Sequence, residues 1–526
     1  MSAHSAAVSG APTPSSRSQD HRFFGHPLGL MTLFGTELWE RFSYYGMRAI
    51  LLFFITDTVA NGGLGIDRST GVAITSIYGA SVYLLSVVGG WLADRVIGAR
   101  RATLYGGLVI ATGHVLLAVP GGAGTAFAGI VSVAIGTGLL KPNVSSMVGE
   151  LYDRGDARRD GGFSIFYMGI NLGSFFSPIL VGAARSWGGY HAGFLVAAVG
   201  MAFALVFFVL GRKALHGAGD HVDNPITPEE RPALARGGAG ILGLVVLAVL
   251  AAWGVASLRA GGSSFGAEGA VDAISYLAFA APIAYFIIML RSPKVTAGER
   301  QRVLAYIPLF VAAMLFWMIN EQAASSMSAF AEDRTNLSFL GFGIDPAFFQ
   351  SVNPLIIIVL APVFAGVWSR LGDRGPSTAH KFGIGLSLAA LSFVFLAAMT
   401  ALAGDAKVGS GVLVGTYAIQ TIGELFLSPV GLAATTLLAP AVFRSQAMAL
   451  WFLAPAAGQA ITAQLVSATD DLASSYVPYF GMIGAVTLVI AVVFFLVAPW
   501  ITRHIREGEE DDAAVEGGVV GTDAQA

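Results

Sequence analysis

Between positions 37 and 48 the sequence runs Glu37-Leu38-Trp39-Glu40-Arg41-Phe42-Ser43-Tyr44-Tyr45-Gly46-Met47-Arg48, placing acids, arginines and tyrosines inside an apolar run over 28–55. At about 3.6 residues per helical turn, Glu37, Arg41, Tyr44 and Arg48 fall along nearly one line, with Glu40 and Tyr45 on either side. A charge at mid-membrane costs about 2.5–3.5 kcal/mol on insertion scales, so such charges line a pathway or pair with one another. The competing reading is a structural ion-pair set, or side chains that snorkel to the headgroups. An acid beside an arginine stays ionised, whereas one left alone in an apolar setting takes up a proton. Glu37, Glu40 and Arg41 therefore supply the parts of a proton carrier within one turn. Spacing does not say which glutamate holds the proton.

Other polar residues fall inside apolar segments. Arg48 and Lys141 are cations in separate segments, suited to a carboxylate ligand that arginine grips bidentately. Lys141 also reads as a snorkelling end residue, because Leu139-Leu140 close an apolar run and Pro142 follows. Glu424 is flanked by apolar residues on both sides and suits an ammonium, helped by Asn171 and Asn353; it could instead pair with Lys141. Asn353 could also satisfy carbonyls freed by Pro354. Glu321 follows the pair Phe316-Trp317 and reads otherwise as a polar residue of an outer vestibule. Tyr44, Tyr45, Tyr83, Trp317 and Trp451 are candidates for side-chain pockets, although aromatics in spans commonly serve as packing or interface anchors. For His114, inside a span, a helix–helix hydrogen bond is favoured over proton relay.

These residues need a membrane-spanning frame, and composition supplies it. The chain has 526 residues, 55% hydrophobic and 12% charged, with mean hydropathy +0.69; soluble domains average about 25% charged residues. It contains no cysteine, which excludes disulfides and thiolate chemistry. Apolar segments at ~20 residues per crossing predict fourteen spans: 28–55, 72–92, 102–119, 126–140, 163–181, 192–210, 239–258, 274–290, 304–330, 348–368, 382–402, 412–438, 447–466 and 477–501. Lys and Arg concentrate in alternate loops, which places both termini in the cytoplasm. The exceptions are Arg68, Arg185, Arg259, Arg334 and Lys407.

The reading is an all-α polytopic membrane protein. Residues 1–27 form a disordered tail, 28–210 a six-helix bundle, 211–302 a linker with two extra spans, 303–502 a second six-helix bundle and 503–526 a disordered acidic tail. Two halves around a central path fit a transporter that binds its solute near the midplane. No G-x-x-x-x-G-K-[ST] is present, so no ATP-driven pump is encoded. Gly262-Ser263-Ser264-Phe265-Gly266 matches the nucleophile-elbow pattern but lacks its strand–turn–helix context, and no enzyme is expected.

The motifs together resemble the proton-dependent oligopeptide transporter family of the major facilitator superfamily. The resemblance is carried by Glu37-Leu38-Trp39-Glu40-Arg41 and its continuation, Gly90-Trp91-Leu92-Ala93-Asp94-Arg95, Lys141-Pro142-Asn143, Phe166-Tyr167-Met168-Gly169-Ile170-Asn171-Leu172-Gly173-Ser174, Phe316-Trp317 with Glu321-Gln322, and Glu424 with Ser428-Pro429. It covers nearly all of the chain except the tails. It implies the superfamily fold with two inserted helices, typical of bacterial members, and proton-coupled import of di- and tripeptides by alternating access. Glu37, Glu40, Arg41 and Glu321 would couple protons, with Glu321 a second acid that pairs with Lys141 or relays protons. Arg48 and Lys141 would hold the peptide carboxylate and Glu424 its ammonium. The expected partners are small peptides, protons and the lipid bilayer, with no nucleic acid, no obligatory protein partner and no cofactor beyond the proton gradient. The expected location is the bacterial inner membrane. The same fold also suits another small solute, such as nitrate, a drug or a modified amino acid; a membrane receptor or enzyme is the more distant alternative.

Overall fold

The computed structural model describes residues 20–523, apart from 154–155, 223, 261–265, 340–341, 470–471 and 473–474. The first bundle comprises α1 (Leu28–Thr56), α2 (Arg68–Leu92), α3 (Ala99–Ala118), α4 (Gly122–Glu150) and α5 (Arg159–Gly211). The inserted pair is α6 (Arg231–Ala260) and α7 (Ala267–Arg291). The second bundle comprises α8 (Ala297–Asn320), α9 (Ser326–Arg334), α10 (Val352–Leu371), α11 (Thr378–Ala403), α12 (Ser410–Leu438), α13 (Arg444–Ser467) and α14 (Tyr476–Asp523). A short antiparallel ladder, β1 (Ser338–Phe339) with β2 (Phe342–Gly343), sits between α9 and α10.

Twelve of the described helices are long and apolar enough to cross a membrane. The charges of α1 keep it out of that set, although its 29 residues suffice. The 53-residue α5 is broken at Gly189 (φ 77°, ψ −178°), a left-handed backbone position that glycine tolerates, and so crosses twice. Adding α1 and the second half of α5 to the twelve gives the fourteen crossings expected.

Several boundaries differ from the sequence reading. The stretch 182–191, expected as a loop, is helical on both sides of Gly189. The fourth span does not stop at 140, since α4 runs through Pro142 to Glu150. A proline inside a helix removes one backbone donor, here the one facing the Gly138 carbonyl; the adjacent Asn143 donates its side-chain amide to the Leu139 carbonyl at 2.6 Å and the Gly89 carbonyl of α2 at 3.4 Å. The span expected at 304–330 is interrupted, because α8 ends at Asn320, a 3-10 turn covers Glu321–Ala324, and α9 restarts at Ser326. α8 begins inside the expected linker, at Ala297, where Thr296 and Glu299 form a capping box.

The first 19 residues of the expected tail lie outside the described residues. Its remainder is folded: Asp20 grips Arg22 at 2.9 Å and accepts the Leu28 backbone N–H at 3.0 Å. The Arg22 guanidinium holds the Asp20 carboxyl well below the usual carboxylate range. At the other end, α14 stays helical through the acidic stretch expected to be disordered. No proline follows Pro499, and an i,i+4 pair between Arg503 and Glu507 at 2.9 Å supports the helix there.

Each bundle has its own apolar core. Met47, Ile50, Phe53, Phe194 and Met201 anchor the first; Phe316, Phe330, Phe382, Phe393 and Phe480 anchor the second. α1 packs along α5, and α11 along α12 and α14. The bundles meet where α2 packs on α13 and α10 on α5.

Candidate functional site

The charged face of α1 is buried, with Glu37 and Arg41 2% exposed and Glu40 fully buried. It is held there by α5. A Cβ at Gly173 would lie 2.3 Å from the Leu38 carbonyl oxygen, so the glycine of the Asn171-Leu172-Gly173-Ser174 stretch is what lets the two backbones meet. Arg41 Nε stands 3.0 Å from Glu37 Oε1 and 2.6 Å from Glu40 Oε2. These are Coulombic contacts without hydrogen-bond alignment: both Glu40 oxygens and Glu37 Oε2 have no hydrogen-bond partner among the described residues. The two carboxylates thus keep lone pairs available to a proton. Two acids and one guanidinium sum formally to −1. Lys141, within electrostatic reach of both acids, brings the sum to zero.

Arg48 takes a different course. It crosses to the second bundle, pairs with the Glu321 carboxylate and donates to the Glu321 carbonyl at 3.2 Å. The 3-10 break after α8 is what presents Glu321 to the centre. Tyr83 donates its hydroxyl to Glu321 Oε1 at 2.8 Å, and the Lys141 ammonium lies 4.1 Å from the centroid of the Tyr83 ring. Arg48, rather than Lys141, is therefore the partner of Glu321.

Lys141 is half-buried in mid-helix, against the snorkelling alternative, and no ion pair engages it among the described residues. Glu424 likewise has no cation. It accepts from Asn353 Nδ2 at 2.9 Å and Asn320 Nδ2 at 3.4 Å, both neutral donors, while Asn353 also reaches Thr421 at 2.9 Å. Asn353 thus serves Glu424 rather than proline-freed carbonyls, whereas the Asn171 amide donates to the Tyr167 carbonyl of its own helix at 2.9 Å. Among the described residues the alternative pair between Lys141 and Glu424 is not formed, which leaves a cation on α4 and an acid on α12 without an ion-pair partner.

The aromatic candidates divide. Tyr44 is buried, with Arg41 5.5 Å from its centroid and Tyr45 packed edge-on at 5.1 Å. Trp317 is half-buried and its indole N–H has no hydrogen-bond partner among the described residues. Trp451 packs on bare backbone: a Cβ at Gly431 would meet its ring at 2.1 Å. His114 makes the helix–helix bond expected of it, 2.5 Å to Ser43. All of the nucleophile-elbow pattern except Gly266, that is 262–265, lies outside the described residues. Among the described residues no group of His, Cys, Asp or Glu could hold a metal.

Sequence reasoning missed a second layer, at the membrane face opposite the basic loops. Arg68 of α2 pairs with Glu332 at 2.6 Å and with Asp333, and Tyr476 donates to Asp333 at 2.7 Å. Arg185 pairs with Asp345 at 3.0 Å, joined by Ser186 at 2.9 Å. Ser351 donates to the Phe175 carbonyl at 2.7 Å. Every one of these except the Tyr476 bond joins the two bundles. The signal was present: Arg68 and Arg185 are exceptions to the loop-charge alternation, cations on the face where cations are scarce.

The POT family model matches residues 100–489. The chain belongs to the POT family. An uncharacterized transporter of Bacillus subtilis, YclF, is 46% identical over 485 residues, spanning 92% of this chain and 96% of that protein. A di-/tripeptide transporter of Lactococcus lactis subsp. cremoris is 42% identical over 483 residues, 90% of this chain and 96% of that protein. A crystal structure of a peptide transporter POT in complex with sulfate superposes with TM-score 0.85 at 51% identity, covering 93% of this chain and 98% of that one. The multi-pass architecture and the two-bundle fold with its inserted helices are thereby those of a transporter family.

Proposed function

We propose that this POT-family chain imports di- and tripeptides together with protons, by rocking its two bundles around the central site. The observation that carries this reading is the pair of open charges. Among the described residues Lys141 on the first bundle makes no ion pair and Glu424 on the second makes none, which leaves one site for a carboxylate and another for an ammonium. A short peptide offers both, one at each end, whatever its side chains. Binding it draws the bundles together, and buried charges acquire partners that offset their desolvation. The kinship with the di-/tripeptide transporter of Lactococcus lactis supports the same substrate class.

The Arg41 cluster is the proposed proton store. Glu37 and Glu40 hold unused lone pairs around one guanidinium, and a proton on either acid frees Arg41 from it. Glu321 is the proposed second acid, exchanging Arg48 for a proton when the bundles part. Arg68 and Arg185 with their acids form an outer closure. The chain sits, on this reading, in a bacterial plasma membrane with both termini cytoplasmic, 28–210 and 303–502 acting as the rocking units.

The test is uptake of labelled di-alanine into proteoliposomes, with and without an inward proton gradient, competed by tri-alanine, free alanine and nitrate. Accumulation that needs the gradient and is blocked by tri-alanine alone is expected. Folded protein that takes up no di-alanine overturns the substrate assignment.

A further inference from the structure

The inserted hairpin has no part in the cycle above, yet α7 lies against the working helices. It packs on α2 of the first bundle and α13 of the second, along the seam where the bundles meet. Its seam face, with Asp272, Ser275, Ala278 and Pro282, is buried. Ile283, Ile287 and Ile288 look outward, each about half exposed.

Two contacts define this seam. Ala278 is fully buried in a cluster with Ala456 and Ala460 of α13, and Tyr83 and Leu84 of α2 pack against the same cluster beside Phe279. Small residues at a helix crossing let three backbones approach closely. Tyr83 is the residue that bonds Glu321 and carries Lys141 on its ring. The second contact is nearer the outer end. Asp272 is 1% exposed and accepts from Gln464 Nε2 of α13 at 2.9 Å. An acid inside a membrane helix is costly, and this one belongs to neither the proton cluster nor the peptide clamp.

We propose that α7 is a wall of the transport site: Asp272 fixes its register on α13, and Ala278, as a positioning residue, sets where Tyr83 stands between Glu321 and Lys141. The proposal rests on the peptide-symport reading above. A larger side chain at 278 would wedge the seam and move the Tyr83 ring. The consequence falls on substrate affinity, because the displaced ring no longer holds Glu321 and Lys141 in their present relation.

The test is a double-mutant cycle on di-alanine uptake in proteoliposomes, using Ala278→Leu, Tyr83→Phe and the double variant. Ala278→Leu is expected to raise KM on the order of five-fold with the maximal rate of counterflow little changed. The double variant is expected to fall short of additivity, because the Glu321 bond that Ala278→Leu disturbs is already lost in Tyr83→Phe, which keeps only the ring contact with Lys141. Outward-facing Ile287→Leu is expected to be silent. Asp272→Asn keeps an oxygen for Gln464 and should preserve KM, whereas Asp272→Leu should raise it. Should Ala278→Leu not fold, Ala278→Val carries the same cycle. Wild-type KM in the folded 278 variant, or fully additive effects in the double variant, overturns the proposal. Wild-type protein that takes up no di-alanine overturns the peptide reading and this proposal with it; normal wild-type uptake with unaltered variants overturns this proposal alone.

Discussion

Arg41 and Arg48 stand two turns apart on one face of α1, and the structure uses them in opposite ways. Arg41 finds both of its acids on its own helix, at 3.0 and 2.6 Å. Arg48 finds none there and reaches the opposite bundle for Glu321. The first arrangement moves as a rigid unit and survives any rotation of the bundles. The second exists only while α1 and the break after α8 stay together. A local cluster can therefore store a proton independently of conformation, whereas a cross-bundle pair ties its charge state to conformation.

Variants can break this contrast. The largest effect belongs to Arg41→Gln, which leaves two buried carboxylates without the guanidinium that contacts them. Removing one partner of a buried ion set costs about 3–5 kcal/mol. Thermal unfolding should therefore fall sharply at neutral pH and recover on acidification, because protonation neutralises the stranded acids. An unfolding temperature unchanged at pH 7 contradicts the local account. Glu321→Gln comes next. A charged hydrogen bond contributes about 1.5–3 kcal/mol, so this variant should lose closure at the centre while keeping its fold. Labelling of an engineered outer-face cysteine should rise, together with loss of gradient-driven uptake. The same labelling without the uptake defect would make Glu321 a latch only.

The outer pairs sharpen the comparison with smaller effects. Asp345 is 1% exposed on its side chain and takes Arg185, Ser186 and the Ala347 N–H together. Asp345→Asn should increase outer-face labelling several-fold, by about 1–2 kcal/mol of closure. Arg68 is 23% exposed on its side chain, and its acids 36% and 23%. Solvent screens such pairs to about 0–1 kcal/mol, so Arg68→Gln should have the smallest effect and the steepest salt dependence. The reverse order would mean that exposure does not govern these latches.

The sequence made α1 legible because charge inside an apolar run is rare and helical spacing fixes which residues share a face. Glu424 stood out for the same reason, whereas for Asn353 the sequence left two roles open. Elsewhere local signals misled. Pro142 reads as the end of a span, yet α4 continues past it to Glu150. Gly189 lies in an expected loop, yet only one residue there leaves the helix. The interruption at Glu321 carries no glycine or proline, so nothing in the local sequence announces it. Partner choice was the least legible feature. Whether Glu321 pairs with Lys141 or Arg48 depends on how two bundles dock, and no helical periodicity contains that information. Arg68 and Arg185 were visible only as exceptions, and became intelligible once Glu332, Asp333 and Asp345 stood opposite them.

The most direct measurement of the central claim compares two modes of di-alanine transport by Glu40→Gln in proteoliposomes. Gradient-driven accumulation needs the proton store; counterflow at equal pH needs only the site and the rocking. The account predicts that Glu40→Gln loses accumulation and retains counterflow. Full concentrative uptake by this variant would contradict the assignment of the Arg41 cluster as the proton store.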